Sequence, residues 1–234
     1  MAPMTEQQAP PEITTVTLRS RLYAVNCYLV KGEAGFVLID TGLATRRAAL
    51  EHALEAAGCR PGDLRLIVLT HGDADHAGNA AHLRAAYGAP IAAHRAEWWA
   101  VERGNMRLSR GRMTFLRRTV AGLLFRFAGL RPPDRFMPDL SLEGRDGLSG
   151  HGLDARVLHL PGHSQGSIGI LTADRDLFCG NLLTNLGSPR PNSLVDDPAD
   201  LDASVERLRT LEIRTVYPGH GQPFRMGSLR ARTA

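Results

Sequence analysis

The stretch Leu69–Asn79, LTHGDADHAGN, follows the apolar run DLRLIVLT and packs His71, Asp73, Asp75 and His76 into six positions. The run ahead of it has the length and the Leu, Ile and Val content of a buried strand. Two imidazoles and two carboxylates this close make metal coordination the first candidate. Residues 71 and 73 in an extended loop project to one side, whereas 75 and 76, where the chain turns into a helix, can face a second ion. The competing reading is an acidic helix cap, with Asp75 capping the helix that follows. Two distant turns weigh against a cap alone. LPGHSQGS at Leu160–Ser167 and YPGHG at Tyr217–Gly221 each deliver a histidine, His163 or His220, after a strand-like run, and Gly with Pro ahead lets the backbone bend toward a common point.

Outward from this stretch the β and α patterns alternate. ITTVTLR, LYAVNCYLV and FVLID read as meandering, half-buried strands. Thr45–Ala57 reads as a helix stopped by Gly58, Gly78–Tyr87 as a second helix, and PIAAH as a short strand. ARVLHL, SIGILTA and DLFCG read as further strands, Pro198–Leu211 as a helix, and TVYPGHG as the closing element. This order predicts a layered α/β protein, two sheets face to face with helices outside. Residues 1–12 are expected to be a disordered tail and 13–234 a single domain.

The 234 residues are 43% hydrophobic, enough for one sizeable core. Three cysteines without CxxC spacing argue against a disulfide framework and for a reducing cytoplasm. No signal peptide or apolar run of spanning length is visible, so a soluble cytoplasmic protein is expected. Between Arg95 and Arg135 ten arginines face three carboxylates, a net of +7 in a chain whose formal charge is +4. An apolar stripe at Met113, Leu116, Val120, Leu123, Leu124 and Phe127 runs between those arginines. We expect a helical insertion over about 95–135 that covers the site or pairs two copies in a homodimer. A basic insertion by itself does not argue for nucleic acid.

The ordered set NCYLV (Asn26–Val30), LIDTG (Leu38–Gly42), LTHGDADHAGN, LPGHSQGS, FCGN (Phe178–Asn181) and YPGHG resembles the metallo-β-lactamase superfamily. The resemblance implies an αββα sandwich of two mixed sheets with one or two metals at one edge. It also implies a first ion on His71, the residue at 73 and His163, and a second on Asp75, His76 and His220. The position after the FCG glycine, usually a bridging carboxylate, is Asn181, and Asp40 would orient a ligand histidine. His94 could line the site, but for it, as for His52, His82, His151 and His159, a structural role is favoured.

Two departures stand out. Asp73 replaces the usual histidine and Asn181 the usual aspartate, so two carboxylates, Asp73 and Asp75, remain. Asp196 or Asp197 would have to supply any replacement bridge. An added oxygen donor moves preference from zinc, the first choice, toward iron or manganese. The reading is a metal-dependent hydrolase of a small-molecule ester, thioester or lactone, less readily a phosphodiester, using metal-bound hydroxide with Asp75 orienting water or passing a proton. The alternatives are an iron-dependent sulfur dioxygenase of the same fold and a non-catalytic metal-binding protein.

Overall fold

The computed structural model describes residues 11–20, 24–104 and 134–230. Most of the expected tail and of the expected insertion, with its apolar stripe and any dimer contact through it, lies outside them. The first sheet holds β1 (Glu12–Arg19), β2 (Ala24–Gly32), β3 (Gly35–Ile39), β4 (Leu64–Leu69), β5 (Ile91–His94) and β6 (Leu140–Leu142), side by side in chain order. It is antiparallel from β1 to β3 and parallel from β3 to β6. The second holds β7 (Ala155–His159), β8 (Ile168–Thr172), β9 (Asp176–Gly180), β12 (Thr215–Pro218) and β13 (Phe224–Arg225), in the order β13-β12-β9-β8-β7 with β9 and β12 parallel. A ribbon of β10 (Leu183–Thr184) and β11 (Arg190–Pro191) stands apart. Among the described residues the α-helices are α1 (Arg47–Ala56), α2 (Ala74–Ala77), α3 (Ala80–Tyr87), α4 (Arg95–Arg103) and α5 (Pro198–Arg209).

Side-chain alternation assigns the layers. Val37 and Ile39 point inward with Val30, Leu66 and Val68, and meet Val157, Ile168, Ile170 and Phe178 of the second sheet. Leu38 between them points outward and packs with Leu50 and Leu54 of α1 and Leu83 of α3. On the far side Leu158, Leu171 and Leu177 pack against Leu201, Val205 and Leu208 of α5. The result is the expected four-layer αββα sandwich, each fully buried leucine contributing roughly 1.5–3 kcal/mol.

Three details differ from the sequence reading. Strands β2 and β3 are buried on both faces rather than half-buried, because helices cover the outer face that the second sheet does not, while β4 is buried as its apolar run implied. The helix expected over 78–87 starts two residues later, as α3, with the short α2 separate ahead of it. A Cβ at Gly78 would lie 2.5 Å from the Gly42 carbonyl, and Asn79 donates its amide to the carbonyls of Thr41 and Leu43, so this point is tied to the LIDTG loop. The strands β6, β10, β11 and β13 have only two or three residues each, too few for a period to show.

The parallel pairs β3–β4 and β9–β12 place their chain ends together. Asp40 follows β3 beside Thr70 after β4, and Gly219 after β12 donates its N–H to Gly180 at the end of β9 (2.7 Å). The sheets are joined at this edge. Ile168 N–H bonds the Thr70 carbonyl at 2.9 Å, and Asn26 N–H bonds the Gly219 carbonyl at 2.8 Å.

Candidate metal centre

Four of the strand-end loops at this edge carry imidazole or carboxylate. His71, Asp73 and His163 bring one donor atom each within 4.8 Å of one another, and Asp75, His76 and His220 do the same. The two groups adjoin, with the His71 and His76 rings 4.1 Å apart at their centroids. His71, Asp73, His76 and His163 are buried, whereas Asp75 and His220 are half-buried, so the second group is the one nearer solvent.

All four histidines are held by the same ring nitrogen. Nδ1 of His76 bonds Asp40 at 2.7 Å, Nδ1 of His163 the Leu194 carbonyl at 2.6 Å, and Nδ1 of His220 the Ala24 carbonyl at 2.7 Å. Nδ1 of His71 lies 3.0 Å from the Thr70 hydroxyl, which itself donates to Asp40. A carbonyl or carboxylate oxygen can only accept, so Nδ1 carries the proton in these rings and Nε2 of the neutral form keeps its lone pair. Those Nε2 atoms face the carboxylates: His163 is 3.2 Å and His71 3.6 Å from Asp73, and His220 is 3.5 Å and His76 3.8 Å from Asp75. His71 Nε2, His76 Nε2 and Asn181 Oδ1 are buried with no hydrogen-bond partner. Orphaned lone pairs are costly unless a Lewis acid or donor takes them, which is the condition a metal ion would satisfy.

The electrostatics agree with that donor set. Burial, reinforced by the neighbouring imidazoles of His76 and His163, pushes His71 well below the usual histidine range and keeps it neutral. Burial opposes ionisation of Asp75, yet His76 and His220 hold its carboxyl well below the usual carboxylate range. Burial would lower His76 too, but Asp40 and Asp75 outweigh it and raise the ring's affinity for a proton. A proton on His76 then competes with a cation for Nε2.

Asp73 occupies the N-cap position of α2 but makes no side-chain cap bond; its carboxylate is turned toward His163 and His71. Asp75 lies inside α2 rather than at its cap. Asn181 sits between the groups, its Nδ2 3.5 Å from His163 Nε2. Neither Asp196 nor Asp197 belongs to either group, and Asp197 instead caps α5, accepting from the N–H groups of Ala199 and Asp200. His94 is also outside both groups. It caps α4 through Ala96 N–H and stacks on His159 at 4.3 Å, while His82 pairs with Glu51.

Some contributors were not legible in the sequence. Asn26, noted only as part of NCYLV, donates its amide to the carbonyls of Pro218 and Gly221 and so pins the loop of His220. Thr70 and Asn79 link LIDTG to the LTHGDADH loop. Nothing in one sequence marks such long-range partners.

The family model of the metallo-beta-lactamase superfamily matches residues 20–220. The chain belongs to the metallo-beta-lactamase superfamily. Among its relatives there, human metallo-beta-lactamase domain-containing protein 1 is 29% identical over 204 residues, covering 85% of this chain and 62% of that protein. Hydroxyacylglutathione hydrolase GloC of Haemophilus influenzae is 29% identical over 209 residues, covering 86% of this chain and 88% of that protein. A solved superfamily structure, TTHA1623 in a di-iron-bound form, superposes with a TM-score of 0.66 at 30% identity over 92% of this chain and 95% of that one. The BLEG-1 B3 metallo-beta-lactamase, at a TM-score of 0.72 and 24% identity over 93% of this chain and 95% of that one, shares the fold. Among the described residues of this superfamily member no helix is long and apolar enough to cross a membrane.

Proposed function

We propose that this chain is a metal-dependent hydrolase of an acyl thioester, with esters and lactones as its neighbouring substrate classes. The observation that carries the proposal is the common orientation of the four imidazoles, Nδ1 held by the protein and Nε2 turned to the carboxylates. His71, Asp73 and His163 would hold one divalent ion and Asp75, His76 and His220 a second, with Asn181 as a weak neutral oxygen donor between them. A divalent ion there lowers the pKa of its water to near neutrality and polarises a carbonyl.

The chain's own residues supply position and proton handling. Asp75, half-buried and beside His220 at the more open group, is placed to orient an incoming water and to take its proton. Asp40 keeps His76 in one tautomer, and Leu194 and Ala24 do so for His163 and His220. Thioesters lead because the GloC relative, aligned over most of its own length, is named for hydroxyacylglutathione, an acyl thioester.

Zinc suits four nitrogens and two carboxylates. The oxygen donor of Asp73, together with the di-iron form of TTHA1623, favours iron as the alternative ion and, with it, a second reading as an iron-dependent persulfide oxygenase. The chain prepared without a metal-affinity tag is expected to contain zinc and to cleave an S-acyl glutathione in a chelator-sensitive way. Iron with oxygen uptake on a glutathione persulfide would establish the second reading. No transition metal and no turnover in an ester, thioester, lactone and phosphodiester screen would sink both.

A further inference from the structure

Glu97, in the first turn of α4, is 1% exposed, and its carboxylate accepts hydrogen bonds from two loops that are far apart in sequence. Oε2 accepts from the Gly72 N–H at 2.8 Å; Oε1 accepts from the Ser164 hydroxyl at 2.8 Å and the Gly166 N–H at 2.9 Å. Gly72 lies between His71 and Asp73, and Ser164 directly follows His163. These two loops therefore carry the whole first group, and none of the second group's histidines is bonded to Glu97. Both glycines leave room for the carboxylate: a Cβ at Gly166 would lie 2.6 Å from Oε1 and one at Gly72 3.1 Å from Oε2. Asp40, by contrast, bonds His76 of the second group directly.

We infer that Glu97 is a positioning residue of the first metal site, a carboxylate clamp that sets the distance between the His71–Asp73 loop and the His163 loop. This rests on the metal-dependent reading above. The chemistry requires a carboxylate rather than an amide, because both oxygens accept. A glutamine keeps one accepting oxygen, which two donors of the His163 loop occupy, and turns an N–H₂ against the Gly72 N–H. The Gly72 bond is lost and the segment between His71 and Asp73 moves, while the side chain keeps its volume and the helix its packing. Partners that orient ligands in this way typically change metal affinity by about 10- to 100-fold when removed.

The test is competitive titration of the metal-free chain with Zn²⁺ against a chromophoric chelator, resolving two binding steps, with Asp73→Ala identifying the first-group step by its loss. Glu97→Gln is expected to weaken the first-group step by about 10- to 100-fold and to leave the second within about threefold. A merely structural residue would lower the unfolding temperature of the metal-free protein without changing the ratio of the two affinities, so an unchanged ratio overturns the assignment. If Glu97→Gln does not fold, Ser164→Ala removes one donor and keeps the carboxylate; it must shift the ratio in the same direction by a smaller factor, and no shift overturns the inference. A wild-type chain that takes up no metal removes the hydrolase reading itself and this clamp with it. Wild type with two resolved steps and Glu97→Gln with both unaltered removes the clamp alone. A single ion at the second group also overturns it, since Glu97 would then hold ligands to nothing.

Discussion

As proposed ligands, Asp73 would put an anionic donor where the superfamily resemblance implies a neutral one, and Asn181 a neutral donor where it implies an anionic one, so their effects on the charge of the centre would have opposite signs. Asp73→Asn is expected to leave Asp75 as the one carboxylate among the proposed ligands and to cut metal content at equal free zinc, read by elemental analysis. Asn181→Asp puts a third carboxylate where the unpaired, buried Oδ1 of Asn181 stands. Occupancy should rise while the acid limb of the rate profile moves to higher pH, because added negative charge opposes ionisation of water. Full metal and full turnover in Asp73→Asn would refute the compensation. The metal-free protein offers a check on Asp75. Its folded pKa lies below its unfolded value of about 3.8, so its stabilisation is complete above that value and disappears as pH falls through the folded pKa. Thermal unfolding against pH should show a drop below about pH 4 that Asp75→Asn reduces. His71 acts in the same direction at higher pH: its folded pKa is lowered, so stability rises as pH climbs toward 6.5, while the raised His76 opposes this above 6.5.

Loops and short helices, more than the strands, carry the chemistry, and small residues decide how closely they meet. Gly219, between β12 and His220, has no room for a side chain: a Cβ would stand 2.5 Å from Asn181 Oδ1 and 2.7 Å from His76 Cε1. Gly219→Ala is expected to weaken zinc binding at the second group by more than tenfold while circular dichroism stays native, since neighbouring side chains can shift more readily than strands; unaltered affinity would place the cavity elsewhere. Gly162 has φ of +133°, and a Cβ there would lie 2.4 Å from Leu201 Cα of α5. Gly162→Ala is expected to cost on the order of 1–3 kcal/mol in urea unfolding, as backbone strain and the lost seat of α5 combine. These glycines were visible in the sequence as turn formers. That they are also spacers became apparent only once α5 and Asn181 were seen against them.

The sandwich as a whole brings the loops together, and a metal bound to it would in turn stabilise the folded state. Zinc at 100 times its Kd should add about 2.7 kcal/mol, a rise in Tm of roughly 5–11 °C for a chain of this length, reversed by chelation. No shift would count against a folded-state site. The αββα architecture was readable in the sequence because apolar runs with period two or 3.6 report burial locally, and LTHGDADH, PGHS and PGHG were readable because each packs its donors within a few residues. The turn at Gly78 and Asn79 ahead of α3, the double burial of β2 and β3 and the short edge strands were not, since each depends on a neighbour distant in sequence. The same holds within the centre. His71, His76, His163 and His220 could be picked out as donors from the sequence by itself, but which nitrogen faces inward is decided by Thr70, Asp40, Leu194 and Ala24. Glu97 shows the division most clearly: on its helix it is one charged residue among several, and only the tertiary structure buries it against Gly72, Ser164 and Gly166. Local spacing encodes which atoms are available to bind, whereas long-range hydrogen bonds, closed only when the sheets pack, decide where those atoms point.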